Sequence, residues 1–200
     1  MNDTSATGKR AATRGMILEQ AYAMACSDGL EGLSIGTLAQ AVEMSKSGVF
    51  AHFGSREDLQ LAVLELGAHR FMAKVLLPSL KQPRGLPRLR AVVDHWCDWG
   101  YTYQRGCVLL SAASEYDGRD GALHDGVVRQ QAGWRDELQK SIQLAVEEGH
   151  LRDDTEPAQL AFEIYALMLG LHHDAGLFGF AEARRRTDAA VERLFASYQP

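Results

Sequence analysis

Met44-Ser45-Lys46-Ser47-Gly48-Val49-Phe50-Ala51-His52-Phe53, MSKSGVFAHF, is a short run of small polar residues pinned by bulky apolar ones. Ser45 ahead of the run is a helix N-cap signal, and the four-residue spacing of Val49 and Phe53 gives the helix one buried face. Ser45, Lys46, Ser47, Gly48, Ala51 and His52 are then left toward solvent or a partner. Short side chains, hydroxyls and one ammonium suit close approach to a DNA major groove, and a capped N-terminus presents amides to a phosphate.

The flanks fit that reading. Helical periodicity predicts one helix from about Thr13 to Ser27, ending at Gly29, and a second from the cap Ser34 to about Val42. Only Glu43-Met44 separates the second helix from the third, the connection expected of a helix-turn-helix. Ser55-Arg56-Glu57-Asp58 reads as a capping box that opens a long fourth helix running to about Leu77.

Composition sets the bounds. A chain of 200 residues with 46% hydrophobic content can bury a sizeable core. Its longest apolar runs fall far short of the roughly 20 residues that span a bilayer. No export signal follows the N-terminal MNDTSATGKRAATRG, and Cys26, Cys97 and Cys107 lack any C-x-x-C spacing, so reduced thiols and a cytoplasmic location are expected. The net charge is -5, yet residues 1–56 carry five Lys/Arg against five Asp/Glu, whereas residues 57–200 carry 16 against 21. Overall acidity argues against a non-specific nucleic-acid coat but permits a local phosphate-binding face.

Residues 13–59 resemble the DNA-binding domain of the TetR family of bacterial transcriptional regulators. The resemblance is carried by Thr13-Arg14, Ile17-Leu18, Ala21, Gly29, Ser34, Leu38-Ala39, MSKSGVFAHF and Ser55-Arg56-Glu57-Asp58-Leu59. It implies an all-α homodimer with three N-terminal DNA-binding helices and a larger helical domain for ligand binding and dimerisation. Carried over by position, Ser45, Lys46, Ser47, Gly48, Phe50, Ala51 and His52 lie on or beside the recognition helix, with Ser34 and Arg56 facing phosphate. Two residues depart from the family pattern: Glu43 stands where Gly is common, and Phe50 where Tyr is common.

The expected organisation is a flexible arm over residues 1–12, a DNA-binding domain over 13–57 and a sensing domain over 58–200. In the latter, helical segments are expected at Leu86 to Tyr103, Cys107 to Tyr116, about Ala122 to Glu148, Pro157 to about Leu177, and about Ala181 to Ser197. Trp96, Trp99, Tyr103, Trp134, Tyr165, Met168 and His172 are the pocket candidates, since a small effector is usually held by aromatic walls and a few polar groups. By resemblance, the segments around Trp134 and Phe162 to Leu171 form the dimer bundle. No motif calls for a cofactor or a metal: adjacent helical residues diverge by about 100°, so His172-His173-Asp174 does not readily chelate one ion.

The expected function is a ligand-responsive repressor that binds pseudo-palindromic operator DNA as a homodimer. Two other classes are open to test. One is a helical interaction protein without DNA binding. The other is a serine hydrolase, because Gly32-Leu33-Ser34-Ile35-Gly36 matches G-x-S-x-G, although no strand signal precedes the Ser.

Overall fold

The computed structural model describes residues 3–103 and 106–200, with side chains described from residue 7 onward except at 102 and 103. Among them every regular element is helical: α1 (Asp3–Gly32), α2 (Ile35–Ala41), α3 (Lys46–Phe53), α4 (Arg56–Phe71), α5 (Leu77–Ser79), α6 (Leu86–Asp98), α7 (Val108–Tyr116), α8 (Ala122–Glu147), α9 (Pro157–Phe178) and α10 (Phe180–Tyr198). Two single-turn π segments, Met72–Leu76 and Trp99–Tyr103, continue α4 and α6. Sequence periodicity did not show them, because a π turn adds a residue without changing which residue types are apolar.

Most boundaries follow from caps. Ser34, Ser45 and Ser55 each accept a hydrogen bond from the amide three residues on, satisfying one orphan donor of α2, α3 and α4. Glu156 caps α9 through both carboxylate oxygens, and Pro157 opens it. Residues 3–12, expected to form a flexible arm, are the first turns of α1, which Lys9, Arg10, Ala11 and Ala12 favour as helix formers. At the other end the regular geometry is interrupted at Gly29, whose φ of 75° and ψ of 171° turn the chain toward α2.

The apolar faces meet in two clusters. The front cluster joins α1 to α4 and also takes Val108, Ala112 and Tyr116 from α7. The rear cluster joins α6, α8, α9 and α10 with Phe71 and Val75, and partly buried Leu109 packs against both. The expected division after residue 57 therefore does not divide the core, because Leu59, Val63 and Leu64 of α4 and much of α7 belong to the front. Close approach is built in where α4 crosses α7. A Cβ on Gly67 would lie 2.9 Å from Val108 Cγ1, too near for any other residue without a shift.

Candidate DNA interface and ligand cavity

The turn between α2 and α3 is a Schellman motif. Met44 N–H donates to Ala39 C=O at 2.9 Å and Glu43 N–H to Gln40 C=O at 3.2 Å, so two orphan carbonyls of α2 are satisfied. The motif requires a left-handed residue at its corner, and Glu43 supplies it with φ 54°. The departure from Gly at this position thus leaves the turn conformation intact, at the cost of a strained Glu.

On α3, Val49 and Phe53 are buried while Ser45, Lys46, Ser47, Phe50 and Ala51 are exposed and Gly48 and His52 are half-buried. Ser45 Oγ accepts from Gly48 N–H at 3.1 Å and bonds with Ser47 Oγ at 3.0 Å, so the first turn is fixed before any partner arrives. Phe50 is 44% exposed. Gly48 has a structural reason as well: a Cβ there would sit 3.2 Å from both Met44 Cε and Ser45 Oγ. The N-terminal end of α2 carries Ser34, whose Oγ accepts from Thr37 N–H at 3.1 Å.

Arg56, expected to face phosphate, also makes bonds within the chain. Its Nε donates to Leu33 C=O at 2.8 Å and its Nη2 to Glu31 C=O at 2.5 Å, with the Glu31 carboxylate 3.3 Å away. These bonds spend its fork on the corner between α1 and α2. Glu31 is in turn held by Tyr116 Oη at 2.6 Å and Arg119 Nη1 at 2.7 Å, and Glu31 N–H donates to Glu115 at 2.9 Å. The Tyr116 hydroxyl, first, and the two guanidiniums lower the Glu31 carboxyl below its usual range. The end of α7 thereby grips the same corner that Arg56 fixes.

The start of α7 faces a cavity. This space, about 250 Å3, lies between α4, α6, α7, α8 and α9 and is walled by Phe71, Met72, Trp96, Leu110, Trp134 and Tyr165. The rings meet edge to face, with centroids 4.6 Å apart for Phe71–Trp134 and 5.0 Å for Trp96–Trp134. Gln131 spans its polar side, accepting from Tyr165 Oη at 2.8 Å and donating to Leu109 C=O at 3.1 Å. A smaller space of about 110 Å3 adjoins it, lined by Trp99, Met168 and His172 and sharing Trp96, Cys107 and Leu110. The pocket candidates therefore divide between two adjoining spaces, and the Tyr103 side chain lies outside the described residues.

Among the described residues no Asp, Glu, Lys or Arg lines either space. Burial keeps His172 toward its neutral form and pushes the Cys97 thiol up to about 12, so neither supplies a charge near neutral pH. Phe71 and Met72, at the π turn of α4, and Gln131 were not among the candidates. The only sequence signal for Phe71 and Met72 is their place at the far end of a helix that begins beside α3, and Gln131 in α8 had none.

The chain matches the bacterial regulatory proteins of the tetR family over residues 17–63 and the tetracyclin repressor-like C-terminal domain over 85–191.

The chain belongs to the TetR family.

Solved structures agree on the fold. A TetR-family regulator from Agrobacterium tumefaciens is similar at a TM-score of 0.82 and 19% identity, over 96% of this chain and 100% of that one. One from Cytophaga hutchinsonii gives 0.81 and 20%, over 96% of each chain. AibR, in complex with isovaleryl coenzyme A and operator DNA, gives 0.72 and 23% over 91% of this chain and 97% of that one. No curated protein matches the chain. In this family setting G-x-S-x-G has no elbow around it, because α1 rather than a strand leads into Ser34 and Ser34 Oγ is occupied as a cap.

Proposed function

We propose that the protein is a ligand-responsive transcriptional repressor, active in the cytoplasm, that binds pseudo-palindromic operator DNA as a homodimer. The observation that carries this is the pairing of a capped, solvent-facing α3 with an aromatic cavity, bridged by α4 and α7. Ser34, Ser45, Lys46, Ser47, Gly48, Phe50, Ala51 and His52 form the DNA-facing surface, and Arg56 positions the corner beside it. AibR, caught with an acyl-coenzyme A and operator DNA together, supports the pairing of the two functions in one fold.

The dimer surface is the outer face of α9, where Phe162, Leu169 and Leu177 are exposed along one helical stripe. Coupling runs through α4, whose Phe71 and Met72 wall the cavity and whose first turn follows α3 directly. A ligand shifts DNA affinity only by as much as its own affinities differ between the two conformations, typically about 1 to 3 kcal/mol. Trp99 is only 1% exposed, so its truncation costs about 3 to 5 kcal/mol and disturbs the fold as well as sensing. Ala68, half-buried on the cavity wall, is the better position to fill.

Selection of bound sites from a random DNA pool tests the proposal. A two-fold pseudo-palindrome with half-sites about one helical turn, or a multiple of it, apart is the expected product. A pool in which no sequence is enriched overturns it and leaves an interaction protein without DNA binding.

A further inference from the structure

We infer that the first turns of α1 and the end of α3 form a second phosphodiester-binding surface, made by Lys9 and Arg10 with Thr13 and His52. This inference rests on the proposed DNA binding and extends it to residues outside the helix-turn-helix. Lys9, Arg10, Thr13, Ala51 and His52 line one shallow depression, which contains two permanent cations, a hydroxyl and an imidazole but no carboxylate. In a chain of net charge -5, an acid-free basic hollow is a local departure from composition.

The hollow is held in shape from within. Arg10 Nη2 donates to Ala51 C=O at 3.0 Å, so α1 is fastened across the last turn of α3 although 41 residues separate them. That carbonyl is one of the last four of α3, which lack donor partners inside the helix and carry its negative dipole end. A bare helix C-terminus repels an anion. With Arg10 seated on it, the partial negative charge is offset and the remaining guanidinium N–H groups stay available. Thr13 Oγ1 is fixed by donating to Lys9 C=O at 3.0 Å. Arg14, one turn on, is not part of the hollow: its guanidinium lies 4.7 Å over the Phe53 ring and serves to hold α1 against α3.

Two groups in the hollow have no internal purpose. Among the described residues no hydrogen bond or ion pair engages the Lys9 ammonium, and the His52 Nδ1 atom is buried without a partner, so no internal bond accounts for that ring's placement. An unengaged ammonium at the rim of a concavity is what a phosphate oxygen needs. The hollow shares Ala51 and His52 with the outward face of α3. Lys46 and His52 are six residues apart, about 9 Å along the helix axis. A duplex seated on α3 thus meets Lys46 at one end of the helix and Lys9 at the other. The ligand is a backbone phosphate, so this surface adds affinity without choosing a sequence.

The test is fluorescence anisotropy of the full chain with a random-sequence DNA duplex, titrated from 50 to 200 mM salt, for the parent, Lys9→Ala, Lys46→Ala and the double variant. Lys9 is exposed and unpaired, so Lys9→Ala should melt like the parent. It should reduce the log–log salt slope by about one unit, which makes the parent-to-variant affinity ratio about fourfold larger at 50 than at 200 mM salt. The double variant should lose about two units, since two separate phosphates are involved. A parent that binds with Lys9→Ala unchanged in slope overturns the second surface, as does a double variant no different from Lys46→Ala alone. A parent that binds no duplex overturns the proposed function itself, and this surface with it.

Discussion

Glu43 shows how a single residue can carry strain without changing a turn. The Schellman corner needs a positive φ, and a Glu there at 54° bears about 1 to 2 kcal/mol that Gly would not. Gly costs about 0.4 to 1 kcal/mol in unfolded-chain entropy, so Glu43→Gly should still stabilise the protein by about 0.5 to 1 kcal/mol. Urea denaturation would read the gain; a loss would mean that the Glu43 side chain makes a compensating contact. Arg56 offers a contrast. Replacing it by Ala removes the donors of Leu33 and Glu31 carbonyls and should cost about 1 kcal/mol, modest because the side chain is partly exposed. The salt slope of DNA binding should stay at the parent value. A slope lower by about one unit with an unchanged melting curve would restore Arg56 as a phosphate contact.

At the scale of elements, α7 is the piece whose role depends most on where it lies. Its first residues border the cavity, Val108 and Ala112 pack in the front cluster, and Glu115 and Tyr116 grip the corner at Glu31. A shift at the cavity therefore has a path to α2 through α7 as well as through α4. The Glu31 carboxyl is depressed in the folded state, so its contribution is present above the ordinary glutamate value of about 4.3 and is lost as pH falls through the lower folded value. Tyr116→Phe removes the largest cause of that depression. The stability gap between parent and variant should thus be larger at pH 6 than at pH 3, as measured by urea denaturation at each pH. A gap that does not narrow in acid would assign the Tyr116 contribution to ring packing alone.

For the whole molecule, the exposed apolar stripe on α9 is the proposed dimer surface. Phe162 is 60% exposed, so its substitution disturbs little of the monomer's core. Phe162→Glu puts a charge in each copy of a two-fold interface, where it meets apolar surface and its own symmetry mate's surroundings. Light scattering at micromolar concentration should then report a monomer with unchanged helical content, whereas the parent reports a dimer. Operator affinity should fall steeply, because two half-sites are no longer engaged together. A variant that remains dimeric would move the interface away from α9.

The sequence by itself determined the local elements. Serine caps, the four-residue spacing of Val49 and Phe53, and the two-residue connection at Glu43-Met44 act within one or two helical turns, so the order of residues was enough to place α2, α3 and the start of α4. The aromatic segment was legible as a wall for the same reason, since Trp96 and Trp99 lie on one helical run. Only the tertiary structure decided which residues meet across long separations. Arg10 closing on Ala51, Glu31 taking Arg56, Tyr116 and Arg119, and Phe71 joining Trp96 and Trp134 at one cavity link positions tens of residues apart. No period in the chain encodes such pairs. They depend on which apolar faces pack together, because burying those faces brings polar groups of distant segments within reach of one another.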